Sequence, residues 1–256
     1  MDFNTFKDKM YNNFRLDLHS YKENQLKRRM ESLLSRMNMG TDYEKFYKAI
    51  STDREMYIKF LDTLTINVTE FFRDTNIFKS LETKVLPELL QKKKQLKIWS
   101  AACSNGAEPY SLAILMDELV PGVKFELEAT DIDDKILSQA MAGIYTAEQV
   151  RNISANRLNK YFRKQANNYY VIESIKNKVK FKKHDLLLDK YGFGYNLIVC
   201  RNVTIYFTRD AQNLVNEKFS KALNQGGYLF IGGSEMIFNY KSYGYEKSLP
   251  CFYKKT

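Results

Sequence analysis

The sequence predicts an α/β protein with a helical N-terminal region, and three features predict it. Residues 1 to about 90 carry apolar side chains at helical spacing, broken by short turns and Ser/Thr-x-x-Glu signatures. From residue 96 onward, apolar runs of strand length alternate with helix-patterned stretches, as in a layered domain with a parallel sheet. Residues 96–111, LKIWSAACSNGAEPYS, join a strand to a helix through a turn of small residues. Such a turn before a helix N-terminus is where nucleotide-like ligands bind.

Composition sets the bounds. A chain of 256 residues, 44% hydrophobic with 18 Tyr and 17 Phe, buries a core as one large domain or two small ones. No apolar run has the length of a membrane span, and MDFNTFKDKM is not a signal peptide, so the expected location is the cytoplasm. Cys103, Cys200 and Cys251 are odd in number and form no C-x-x-C pair, against disulfides and a thiolate zinc site. Net charge is +10, and residues 147–184 hold ten Lys/Arg against Glu148 and Glu173. That excess suits an anionic partner (nucleic acid, acidic protein or membrane surface) or simply a solvated face.

Taken in order, Ser20 to Glu23 forms a capping box before a helix with Leu26, Met30, Leu33 and Met37 on one face, ending near Gly40. Thr41 to Glu44 and Thr52 to Glu55 repeat the box, which predicts a small helical bundle. Lys22, Arg29 and Arg36 are spaced seven apart beside the apolar face. They either snorkel to water or form a docking rail for an acidic helix. Asn67 and Thr69 offer short polar side chains and Arg73 a cationic fork, ahead of a helix from about 75 to 90 interrupted near Pro87.

In 96–111, Pro109 suits a first helical position, and Leu112, Leu115, Met116 and Leu119 share one face. Gly106 is the turn's one glycine, so G-x-G-x-x-G is absent. The next strand ends in acids. Asp131 is placed for ribose hydroxyls or for a helix N-cap, a role Asp133 and Asp134 also suit. The basic segment predicts a helix at 155–162 and strands near 169–173 and 179–182, an insertion with its own hairpin. His184, read as a surface histidine, precedes Asp185 and Leu186 at a strand end. The strand 195–200 ends in Arg201 and Asn202. A helix from about 209 to 223 puts Ala211, Leu214, Val215, Phe219 and Ala222 on one face. A strand follows the Gly226-Gly227 turn, and 250–254 is read as a last edge strand.

Five stretches in order resemble the chemotaxis receptor glutamate O-methyltransferases: Asn67 to Arg73, Trp99 to Ser111, Ala129 to Asp133, Arg201 to Phe207, and Gly233 to Glu235. The resemblance implies a helical bundle over 1–74 and a Rossmann-like class I methyltransferase domain over 75–256, with a small β-subdomain inserted at about 147–184. It implies S-adenosylmethionine as cofactor, S-adenosylhomocysteine as product and no metal. Asn67, Thr69, Arg73, Glu108, Asp131, Asp185, Leu186, Arg201 and Asn202 would line the cofactor site. Asp131 would take the ribose, Asp185 and Leu186 the adenine, and Arg73 and Tyr206 would act near the transferred methyl. Lys22, Arg29 and Arg36 would dock the cytoplasmic helical region of a chemotaxis receptor. The protein would be a monomer with no nucleic-acid partner and no membrane insertion. Ala102, Asn105 and Ala107 stand where this family usually has Gly, Thr and Glu, and Gly233 where it often has His. Two other classes fit the charge and the turn: a nucleic-acid methyltransferase and a non-catalytic cofactor-binding adaptor. The first is disfavoured because Arg201-Asn-Val-Thr replaces the Asn/Asp-Pro-Pro-aromatic motif of amino-group methyltransferases.

Overall fold

A computed structural model describes residues 1–65, 69–93 and 95–256, which form two compact units. The first comprises Met1–Asn67 with Leu187–Asp189 and Tyr206–Val215. Its helices are α1 (Phe3–Phe14), α2 (Glu23–Arg36), α3 (Tyr43–Thr52) and α4 (Arg54–Leu64). Phe6, Phe46 and Phe60 centre the core, with ring centroids 5.6 to 6.1 Å apart. Leu26, Met30, Leu33 and Leu34 of α2 are buried.

The caps sit one residue from their predicted places. Asp42 and Asp53, rather than Thr41 and Thr52, accept the first free N–H groups of α3 and α4. A carboxylate is the better partner for a helix N-terminus because it also meets the helix dipole. The predicted Ser20 cap does not form. The Ser20 hydroxyl donates to Asp17, and Lys22 N–H donates to the Tyr206 carbonyl (2.8 Å). Thr208 N–H donates to the Ser20 carbonyl (2.8 Å), so residues 20–22 run extended until α2 begins without a side-chain cap.

The second unit, Val68–Leu186 with Lys190–Ile205 and Asn216–Thr256, is built on a sheet. It opens with α5 (Thr75–Ser80), a π turn (Leu81–Val85) and α6 (Leu86–Lys92). The helix is widened rather than broken ahead of Pro87: Leu86 N–H reaches back to the Leu81 carbonyl, which accommodates the missing proline donor. Then come β1 (Lys97–Ala101), α7 (Ala107–Leu119), β2 (Glu126–Asp131), α8 (Asp134–Ala142) and β3 (Ile144–Thr146). After these lie α9 (Ala155–Tyr161), β4 (Phe162–Gln165), β5 (Asn168–Val171), α10 (Glu173–Lys176) and β6 (Val179–Lys183). β7 (Tyr195–Cys200), α11 (Arg209–Ala222), β8 (Leu223–Ile231), β9 (Tyr245–Leu249) and β10 (Phe252–Lys255) complete the order.

Seven strands form one sheet in the order β6-β2-β1-β7-β8-β10-β9. The pairs from β6 to β8 are parallel, and β10 is antiparallel to both neighbours. Chain order reverses between β1 and β7, and the crevice beyond the carboxyl ends of such strands is the ligand-binding edge of an open α/β sheet. β7 is buried along its whole length, as a parallel strand covered on both faces must be. α7 is buried from Ala107 to Met116 rather than on one face. The Tyr110 hydroxyl donates to the Ala140 carbonyl, and the Ser111 hydroxyl accepts Phe72 N–H.

Four expectations are corrected. The inserted sheet is β3-β5-β4, over residues 144–171. Val179–Lys183 instead pairs with β2 at the edge of the main sheet. There Val179 is buried and Phe181 half-buried, while the lysines at 180 and 182 face solvent and discourage further pairing. The last strand is internal: Phe252 is fully buried and stacks on Phe230 at 4.4 Å, leaving β9 as the edge. Leu214 is 45% exposed, because the buried stripe of α11 runs through Ala211, Val215, Phe219 and Ala222 without it.

Glu88 ties α6 to the sheet, accepting from Lys92 (2.8 Å), the Tyr228 hydroxyl (2.6 Å) and Lys254 (2.9 Å). Lys92, Tyr228 and Lys254 hold its carboxyl down at about 2 against the effect of burial. A depressed carboxyl stabilises the fold above its unfolded pKa, and the contribution vanishes as pH falls through the folded one. Glu88→Gln is therefore expected to lower Tm by about 2 °C at pH 7, with the difference from wild type closing between pH 4.5 and about 2 in thermal melts.

Candidate functional site

The turn between β1 and α7 is wound in left-handed backbone: Ala102 has φ 62°, Ser104 50° and Gly106 88°. A Cβ on Gly106 would lie 2.9 Å from the Ala140 Cβ and 3.1 Å from the Tyr145 hydroxyl, so glycine is required. Ala102 occupies a conformation that costs a non-glycine residue roughly 1 kcal/mol. The turn is laced to β2: Cys103 N–H donates to the Thr130 carbonyl (2.8 Å) and Ser104 N–H to Asp131 Oδ2 (2.8 Å). α7 starts at Ala107, two residues before Pro109.

Asp131 is buried at the end of β2, where its Oδ1 also accepts Asp133 N–H (3.2 Å). Asp133 caps α8, which leaves the Asp131 carboxylate for another use. Burial pushes the Asp131 carboxyl up to about 6, restrained by the Ser104 and Asp133 amides. Glu108, in the first turn of α7, is buried and accepts from the Ser100 hydroxyl (2.7 Å) and Arg201 Nη1 (3.4 Å). Burial raises its pKa, and the Arg201 charge opposes the rise.

Arg201, directly after β7, has a side chain 3% exposed. Nη2 donates to Asp74 (2.6 Å) and to the Arg73 carbonyl (3.0 Å), and the guanidinium lies over the rings of Phe230 (4.8 Å) and Phe78 (5.3 Å). Asn202 follows with φ 59°. Glu235 holds that turn: Oε2 accepts the amides of Asn202 (2.8 Å) and Gly232 (2.7 Å). Its Oε1 accepts the amides of Val203 (3.2 Å) and Thr204 (2.9 Å) and the Thr204 hydroxyl (2.7 Å). The sequence shows Ser104 and Glu235 within motifs without giving either a role in holding the site, and nothing in it singles out Asp74. For Ser104 and Glu235 the signal was a polar residue in or beside a small-residue turn.

His184 is buried, not on the surface. Its ring packs against Trp99 and Tyr191, both at 5.4 Å, and the backbone N–H of His184 donates to the Asp131 carbonyl (2.9 Å). Asp185 is half-buried beside buried Leu186, whose carbonyl accepts the Tyr191 hydroxyl (2.8 Å) and Lys218 (3.3 Å). Thr69 and Arg73 are half-buried, and Asn67 lies outside the described residues. Tyr206 belongs to the helical unit with Lys22, Arg29 and Arg36. Arg29 is no free member of a rail: it donates to the Leu64 carbonyl (2.6 Å) and lies 4.2 Å over the Tyr206 ring. Lys22 and Arg36 are exposed.

Three buried polar atoms of this edge, Ser104 Oγ, Arg201 Nε and Asn202 Oδ1, have no hydrogen-bond partner among the described residues. Buried groups of that kind point to a missing ligand. An N–H suits a carboxylate, an amide oxygen suits an ammonium, and the Asp131 carboxylate suits a ribose diol. Those are the ends of S-adenosylmethionine, so the residues present fit it, and fold and site together define an S-adenosylmethionine-dependent methyltransferase. Comparison with known proteins narrows the class. The chain belongs to the CheR methyltransferase family, with residues 1–65 matching its all-alpha domain and residues 67–250 its SAM binding domain. It is 40% identical over 242 residues to a chemotaxis protein methyltransferase of Listeria monocytogenes, covering 94% of this chain and 92% of that one. A chemotaxis protein methyltransferase of Borreliella burgdorferi is 35% identical over 261 residues, covering 96% and 91%. Among the described residues, no helix is long and apolar enough to cross a membrane.

Glu235→Gln sets an amide against several N–H donors and is expected to weaken S-adenosylmethionine binding about tenfold by calorimetry. Cofactor affinity is also expected to fall below pH 6, by up to about tenfold per unit, as Asp131 takes up its proton. Asp131→Asn should bind weakly with no such pH dependence.

Proposed function

We propose that this protein transfers the methyl group of S-adenosylmethionine to glutamate side chains in the cytoplasmic helical region of chemotaxis receptors, giving glutamyl methyl esters and S-adenosylhomocysteine. The observation that carries the reading is the match of both parts of the chain to chemotaxis protein methyltransferases over nearly their full length. Receptor and cofactor both place the reaction in the cytoplasm.

Bound S-adenosylmethionine supplies an electrophilic methyl on a sulfonium. A glutamate acceptor, with an ordinary pKa of about 4.3, arrives ionised, so no side chain has to remove a proton. This agrees with a chain whose histidines are engaged elsewhere, His19 with Asp8 and His184 within an aromatic cluster. The work of the residues is alignment and exclusion of water. Asp131 takes the ribose hydroxyls, and Asp185 and Leu186 border the adenine. Arg201 Nε and Asn202 Oδ1 meet the amino-acid end, with Asn67, Thr69 and Glu108 completing the cofactor site. Arg73 positions the acceptor without clamping its attacking oxygen, since a tight ion pair would blunt the nucleophile. Tyr206 walls the acceptor, and exposed Lys22 and Arg36 steer a glutamate-rich helix.

Incubation with methyl-labelled S-adenosylmethionine and receptor-rich membranes is expected to give base-labile label on protein. Label in nucleic acid, or cofactor uptake without transfer, would overturn the reading. Arg73→Ala should lower kcat about hundredfold. Reversing Lys22 and Arg36 to Glu should lower kcat/KM about tenfold, an effect that shrinks with added salt.

A further inference from the structure

Residues 72–74 carry backbone strain, with φ 50° at Phe72 and 59° at Asp74, so the surrounding structure must hold them in place. Arg201 fixes the far end through the Arg73 carbonyl and Asp74. At the near end, Phe72 N–H donates to Ser111 Oγ (3.0 Å) and the ring meets Phe78 edge-on at 5.6 Å. Its remaining face is covered by the guanidinium of Arg157, 4.8 Å from the ring centroid.

Arg157 comes from α9, which runs straight into β4 of the inserted sheet. Two carboxylates set its plane. Nε and Nη2 donate to Glu118 near the end of α7 (3.0 and 2.7 Å), and Nη2 also reaches Glu82 in the π turn (2.7 Å). A planar fork gripped on its edge presents its flat face to an aromatic ring, which a lysine cannot reproduce. Beside this contact lies an open groove of about 440 Å³ lined by Phe72, Phe78, Glu82, Asn152, Ser154 and Arg157 among others. The Phe72 ring would have room to swing into it if the guanidinium were removed.

We infer that Arg157 is a positioning residue for methyl transfer, pressing Phe72 into place so that the adjoining Arg73 is held where the acceptor needs it. The inference rests on the reading of Arg73 given above. Arg157→Met is expected to lower kcat ten- to hundredfold and leave S-adenosylmethionine affinity within about threefold, because the cofactor contacts are made elsewhere. Arg157→Lys should recover Tm but not kcat, since charge alone does not supply the flat contact. In a Phe72→Leu background, Arg157→Met should cost less than about twofold more, as expected of residues acting through one contact. Amide exchange over residues 72–74, measured without substrate, should quicken about tenfold in Arg157→Met. Full kcat in Arg157→Met, full recovery of kcat by Lys, or losses that multiply independently in the double variant would overturn the inference. Should wild-type protein label no receptor, the functional reading fails by itself and exchange decides the rest: faster exchange upholds the Arg157 contact, and unchanged exchange ends it.

Discussion

One buried cation organises the ligand-binding edge of the sheet. The Arg201 guanidinium, almost without solvent, is paired through its two terminal nitrogens with Asp74, the Arg73 carbonyl and Glu108 and lies over two phenylalanine rings, which leaves Nε for a ligand. A charge taken out of water is tolerable only when paired and hydrogen-bonded. Its partners are therefore drawn from two separate places, the turn before α5 and the first turn of α7. Removing it would strand Glu108, which burial already disfavours as an anion.

Glu235 plays the opposite part on the next residues. Its carboxylate gathers the amides of the turn after β7 and holds Asn202 in a left-handed conformation. Arg201 is thus fixed by its own ion pairs and Asn202 by the Glu235 carboxylate, so the side chains that face a ligand are positioned before it arrives. Left-handed conformations at Phe72, Asp74, Ala102, Ser104 and Asn202 fit this picture, since strain gathers where surrounding contacts can enforce it.

Much of this was legible in the sequence. The strand, turn and helix of 96–111 and the alternation after it follow from periodicity and small residues, which report backbone geometry directly. The acid at 131 was placed by its distance from the turn, and Asp133 resolved the competition for the helix cap. Local patterns failed where a distant partner decided the outcome. Ser20 reads as a cap until residues 206–208 draw its neighbourhood into an extended bridge. Val179–Lys183 reads as half a hairpin because periodicity does not name its partner, and β2 lies some fifty residues away. A histidine among lysines looks solvated, yet Trp99 and Tyr191 enclose it. The roles of Glu235 and Arg157 depend on contacts that no local spacing encodes.

The placement of β10 bears on how the molecule is made. The strand latest in chain order slots between β8 and β9, stacking Phe252 on Phe230. Until it arrives, β8 offers the growing polypeptide an apolar flank with unclaimed amides and carbonyls, the kind of surface that chaperones recognise and that aggregates nucleate on. The seam therefore closes only once β10, which lies after both of the strands it joins, has been made.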